Sequence, residues 1–270
     1  MYERKITMEE QNSLPEPEPV EEMSFTDKVV GVISEAPSQF FAKYKLQRKT
    51  TADWLLPLVL YLLIFGVTQI VHFSNPDLVQ DVKSKARKAA LEQLEKEEIS
   101  QAEKQQRTEQ LEQQLQFIGT PIYHVITVIS VFAMGFIGFF IVAGVLYFFV
   151  RVVYQDPLEF RDVMVANSVI NYIGIIQLFV ALIISFATSR IVLDTSLSSI
   201  FNIERTTLTG YLLYLVDFIS LWILWVKGIA LEQFAGAPKY RYRITVFGLW
   251  IVLMGVLYAI KDAFPGMGGF

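Results

Sequence analysis

Five apolar stretches alternate with polar ones along this chain: roughly Trp54–Phe73, Ile122–Val150, Val163–Ala187, Leu208–Leu231 and Ile244–Ile260. About 20 apolar residues of α-helix cross a hydrocarbon layer of about 30 Å. A backbone crosses lipid only when its own N–H and C=O groups bond internally. The pattern therefore predicts an all-α integral membrane bundle of five transmembrane helices. A soluble protein fits poorly, because little chain is left to cover five such runs.

The polar stretches carry patterns of their own. Ser24 can cap a helix, with Asp27 at the reciprocal capping position. Phe25, Val29, Val32, Ile33, Ala36 and Phe40 then recur mostly three and four apart, Pro37 should bend the helix, and Lys43, Lys45, Arg48 and Lys49 follow. An apolar stripe beside basic residues predicts an interfacial amphipathic helix over 24–50. The same periodicity also suits a stripe that packs on the protein itself. Ahead of it, residues 1–23 are acidic and proline-rich, including Pro15-Glu16-Pro17-Glu18-Pro19, and are expected to be disordered.

Ser74-Asn75-Pro76-Asp77 reads as a helix start. From Pro76 the run to Ile118 holds no breaker, and Gly119 and Pro121 stop it. This predicts a helical insert, 76–118, outside lipid. A single rod would be about 64 Å long, yet both its ends must return to one membrane face. A helical hairpin folding near Glu97–Ser100 meets that requirement. No clean heptad signals a long dimeric coiled coil, which stays open as an alternative. Further on, Asp156-Pro157 is expected to cap the third helix with Glu159 in its first turn. The connection 188–207 is polar and Ser/Thr-rich. Ala133, Gly135, Gly138, Ala143 and Gly144 suggest a packing seam on the second span. Pro265 ends any continuing helix, leaving a Gly-rich tail within 263–270 after a membrane domain over 51–262.

Composition agrees with this division. Apolar residues make up 53% of the chain, and the mean hydropathy is +0.41 despite the charged insert. A net charge of −4 with no basic, aromatic-interleaved stripe excludes a nucleic-acid partner. The absence of cysteine excludes disulfides, thiolate metal sites and thiol catalysis. No apolar core resembling a signal peptide precedes the first span, which is expected to act as an uncleaved anchor. Lys28, Lys43, Lys45, Arg48, Lys49, Arg151, Arg161, Lys227, Lys239, Arg241 and Arg243 fall on one side of the spans. Arg190, Arg205 and Lys261 fall on the other, with Lys83, Lys85, Arg87, Lys88, Lys96, Lys104 and Arg107 of the insert. The clusters beside the first, fourth and fifth spans predict a cell-membrane protein with a cytoplasmic N-terminus and an external C-terminus. Trp54, Trp222, Trp225, Tyr147 and Tyr154 suit an aromatic belt at the inner ends.

Asp217 carries the most chemical information. It lies near the middle of the predicted fourth span, where a charge costs about 2.5–3.5 kcal/mol and must find partners. Gln177 sits at a similar depth on the third span, with Asn171 and Asn167 nearer the inner face. These four form a candidate intramembrane polar cluster. It reads either as a polar pathway or proton-coupled site, or as an interhelical bond that fixes packing. Under the packing reading Asp217→Asn is expected to be mild. His72 and His124 at the outer ends lack a third ligand, so no metal is expected. No His-Glu-x-x-His, Gly-x-Ser-x-Gly or phosphate-cradling glycine loop is present, so no enzyme and no cofactor are expected. The partners expected are membrane lipids, other membrane proteins or a second copy of the chain.

Four stretches together resemble the Yip (Ypt/Rab-interacting) membrane-protein family, in its prokaryotic branch. They are Val29-Val30-Gly31-Val32-Ile33-Ser34-Glu35-Ala36-Pro37-Ser38-Gln39-Phe40-Phe41, Asp53-Trp54-Leu55-Leu56-Pro57, Leu158-Glu159-Phe160-Arg161-Asp162, and Asp217-Phe218-Ile219-Ser220-Leu221-Trp222 followed by Gly228-Ile229-Ala230. The resemblance covers about residues 24–262 without the insert. It implies five spans and a cytoplasmic N-terminus. Taken with the residues, the expected role is non-enzymatic: a membrane organiser or scaffold that contacts lipids or other membrane proteins. The alternative in another class is a transporter, channel or lipid scramblase working through Asp217.

Overall fold

The computed structural model describes residues 22–97, 99–205 and 207–260. The acidic tail up to residue 21 and the C-terminal tail with Pro265 lie outside them. The described residues form helices and no strand. They run α1 (Phe25–Ser34), α2 (Pro37–Lys45), α3 (Thr51–Ser74), α4 (Pro76–Lys96), α5 (Gln101–Phe117) and α6 (Pro121–Phe148), which a π-helical turn extends over Phe149–Val153. Then come α7 (Phe160–Val169), α8 (Asn171–Thr188), α9 (Leu197–Phe201), α10 (Leu208–Leu215), α11 (Phe218–Ala235) and α12 (Arg241–Ile260). Five helical segments are long and apolar enough to cross a membrane: Thr51–Ser74, Pro121–Val153, Phe160–Thr188, Phe218–Ala235 and Arg241–Ile260.

The first three and the last agree with the apolar runs to within a few residues. The fourth differs. Leu208–Leu231 is not one helix, because the chain breaks at Val216–Asp217 and leaves α10 as a short separate piece. Hydropathy cannot register such a break, since Leu208–Leu215 and Phe218–Ala235 are apolar on both sides of it. The start of the third span differs too. Its N-cap is Glu159, with Asp162 completing the capping box, whereas Asp156 is drawn away to the last helix.

The segment 24–50 forms two helices rather than one. Ser24 and Asp27 make the expected capping box. The bend falls at Glu35–Ala36, with Pro37 opening α2. Val32, Phe40, Phe41 and Tyr44 are buried, and the rings of Phe41 and Tyr44 meet Phe234 of α11 edge-on. This part of the stripe therefore packs on protein, while Phe25, Val30 and Leu46 stay exposed. At Gly31 a Cβ would fall 2.4 Å from the Phe40 ring, so α1 can fold back on α2 only with glycine there.

The insert is a hairpin. α4 ends at Lys96, Ser100 caps α5 with Glu103, and Arg87 of one arm pairs with Glu112 of the other at 2.5 Å. Leu78 and Leu115 are buried at its root, and Asp81 accepts from the Ile191 N–H across the bundle top. Spin labels at Lys88 and Gln113 should therefore report a short interspin distance. A continuous rod would separate the two positions by about 38 Å, and a distance of that size would rule the hairpin out.

The core sits where α7, α8, α11 and α12 meet α2, around Val163, Ala166, Ile173, Val226, Leu231 and Tyr242. α6 is peripheral. Gly135 packs under Leu62 and Ala143 is buried, but Gly138 and Gly144 face open space, so the small-residue seam is filled in part.

Candidate functional site

α3 and α8 rise side by side. Ser168 donates to the Trp54 carbonyl, and Gly174 lies against the Tyr61 ring. Three residues further, Gln177 stands level with about Ile64, near the middle of the 24-residue α3. At that depth α11 begins, with Asp217 as its N-cap. Asp217 is buried. Its Oδ1 accepts from the Ile219 N–H (3.1 Å), the Ser220 N–H (3.2 Å) and the Thr195 hydroxyl (2.7 Å). Its Oδ2 accepts from Gln177 Nε2 (2.7 Å) and the Thr195 N–H (3.2 Å). Gln177 also donates to Ser220 Oγ at 3.0 Å.

Thr195 reaches this depth because the chain turns back after α8. Ser189 adopts a left-handed conformation. The segment then descends beside α8, with Val192 bonded to Ser185 and Thr195 to Gln177. That is about 12 Å, or eight residues of α8. Non-helical backbone is tolerated at such depth only when buried in protein and paired. Here the Leu197 N–H closes on the Val216 carbonyl, while Asp194 holds Arg205 and the Ser199 hydroxyl. The carboxylate of Asp217 has about four lone-pair positions. Five donors fill them, and the N-terminal end of α11 adds its partial positive charge.

Of the four residues expected to cluster, the structure brings Asp217 and Gln177 together. Asn167 is buried on α7 and Asn171 opens α8, and neither is among the hydrogen-bond partners of Asp217. Thr195 and Ser220 complete the group instead. Ser220 lay within reach of sequence reasoning, three residues after an N-cap. Thr195 carried no signal, since its segment reads as an ordinary polar loop. His72 is buried with both ring nitrogens unpartnered. Among the described residues no group of three or more His, Cys, Asp or Glu could hold a metal.

A second polar layer lies at the opposite end, where α3, α7 and α12 begin and α11 ends. Lys28 pairs with Asp53 (2.6 Å), Lys49 with Asp162 (3.3 Å), Arg241 with Asp156 (3.1 Å) and Arg243 with Glu232 (2.7 Å). The hydroxyl of Tyr44 donates to Asp53, and that of Tyr242 to Asp156. Arg243 lies between the rings of Trp225 and Tyr240. A Cβ on Gly228 would fall 2.6 Å from the Arg243 Cα, so α11 and α12 approach closely only through that glycine. Each pair joins different elements, tying α1, the α2–α3 link and the α6–α7 turn to the bundle.

Among the described residues the fold is all-helical, with five helices long and apolar enough to cross a membrane and a buried polar group that closes on itself. Comparison with protein-family models, with curated proteins and with solved structures gives no match.

Proposed function

We propose that this protein is a non-enzymatic membrane organiser of the Yip type, with its N-terminus in the cytoplasm and its C-terminus outside. The observation that carries this reading is the saturation of Asp217. Both oxygens of the Asp217 carboxylate are taken by fixed protein donors, so the group works as a cap. Two further features suit an organiser. α6 and α12 present broad apolar faces, including Ile129, Ile137 and Ile141 on α6 and Ile251, Val252 and Val256 on α12, to lipid or to neighbouring spans. The α4–α5 hairpin is rooted on the bundle through Leu78, Leu115 and Asp81, and its arms beyond that root carry exposed charges such as Lys85, Lys88 and Glu92.

One observation favours the transport reading. Discontinuous helices commonly form substrate and ion sites near the bilayer midplane, and the chain breaks between α10 and α11 at Val216–Asp217. The two readings separate in reconstituted vesicles. For an organiser, lipid scrambling and ion or proton flux with the protein present should equal those of protein-free vesicles. A protein-dependent flux that Asp217→Asn abolishes would overturn it.

A further inference from the structure

The fold divides the cations of the α2, α11 and α12 end into two sets. Lys28, Lys43, Lys49, Arg241 and Arg243 each have a carboxylate within 4.0 Å, as does Arg161. Lys45, Arg48 and Lys239 are exposed, and among the described residues none of them has such a partner; Arg151, which donates to the Asp156 carbonyl, and the half-buried Lys227 also have no carboxylate within that distance.

Packing brings Lys45 and Lys239 to one rim, and Arg48 follows three residues after Lys45, just past the end of α2. Tyr44 and Lys49 hold the end of α2 on the Phe234 ring, at the last turn of α11. Lys45 Nζ comes within 3.4 Å of where a Cβ on Gly236 would be, so it abuts the α11–α12 turn. Gly236 ends α11 at φ 65°, a left-handed turn that swings the chain towards Lys239. Arg48 follows one residue after Gln47, whose side chain accepts from the Met23 N–H. Beside the rim stand two exposed aromatics, Trp225 and Tyr240, and the Lys239 ammonium lies 4.9 Å from the Tyr240 ring centroid. Amphipathic aromatics gather at the headgroup level of a bilayer. Unpaired cations at that level attract anionic lipid phosphates.

We infer that Lys45, Arg48 and Lys239 form a binding rim for the phosphate of an anionic phospholipid headgroup, with Tyr240 and Trp225 setting its depth. The inference deepens the organiser reading by naming the lipid class that it contacts. The vesicle flux test bears on that reading alone and does not touch the rim.

The test is native mass spectrometry of the full chain taken from nanodiscs of equal phosphatidylglycerol and phosphatidylcholine. Wild type should retain phosphatidylglycerol preferentially. Each of Lys45→Gln, Arg48→Gln and Lys239→Gln should lower that preference by roughly fivefold, and the triple variant should reach parity. Lys85→Gln and Lys88→Gln on the hairpin should leave it unchanged. The three rim side chains are exposed, so thermal stability should stay at the wild-type value, and Arg48→Glu should weaken retention further. Equal retention of the two lipids by wild type overturns the inference, as does a preference that the triple variant keeps. A preference that appears only after removal of residues 1–21 assigns the rim to the acidic tail and also overturns it.

Discussion

Glu232→Ala should destabilise the protein by about 3–5 kcal/mol, the largest loss expected from any single side chain at the α2–α11–α12 end. Glu232 accepts four hydrogen bonds from Arg243: from the backbone N–H (3.2 Å), from Nε to both oxygens (3.1 and 3.0 Å) and from Nη2 (2.7 Å). Both side chains are almost wholly covered, at 4% and 8% exposure. Removing the carboxylate therefore strands a guanidinium, which cannot deprotonate, between Trp225 and Tyr240. Arg243→Lys should lose much of the stability too, because an ammonium cannot reproduce the fork of two parallel bonds. Replacing both residues by apolar ones of similar volume should cost far less than either single change, since no buried charge is left uncompensated. A double-mutant cycle on thermal stability in detergent measures the coupling directly. Additive losses would show that the pair carries no mutual stabilisation.

This pair also shows where sequence reading stops. The five apolar runs were legible because a helix in lipid needs little beyond length and hydropathy. The hairpin was legible because helix formers, a cap at Asn75 and a return to one membrane face leave few arrangements. Glu232 and Arg243 are eleven residues apart, and nothing in that spacing marks them as a pair. Their pairing depends on the tight α11–α12 turn at Gly236 and on the bare backbone of Gly228. Asn167 and Asn171 are four apart and share one side of a regular helix, yet the α7–α8 joint at Ile170 and the tertiary packing decide what each side chain meets. Depth could be matched from hydropathy, whereas facing could not. The break at Asp217 was concealed for a related reason. The apolar Leu213, Leu215 and Val216 precede it, so the residues before the cap read as continuing span. The polar company that makes the cap workable comes from Gln177 and from Thr195, 22 residues upstream.

The same geometry changes what Asp217→Asn should do. An interhelical bond alone would make the change mild, near the average of about 0.6 kcal/mol for side-chain bonds between membrane helices. With five donors converging, the asparagine must turn its NH2 towards donors. If its oxygen takes the Oδ1 place, the amide nitrogen faces Gln177 Nε2 and the Thr195 N–H. Gln177 can turn over to present its oxygen, and Ser220 Oγ can reverse its own bond in response. The backbone N–H of Thr195 has no such freedom. One unpaired buried donor costs about 1–3 kcal/mol, so Asp217→Asn should lose that much. Asp217→Leu should lose more, because the Thr195, Ile219 and Ser220 amides are then all orphaned and the cap of α11 is gone. The expected order of thermal stability in detergent is wild type, Asn, Leu. Proteolytic cutting in the 189–207 connection should rise in the same order, because Thr195 anchors that segment to α8 and α11. If Asp217→Leu melts with wild type and its connection stays protected, the cap does not hold the break together, and the saturation of Asp217 loses its structural meaning.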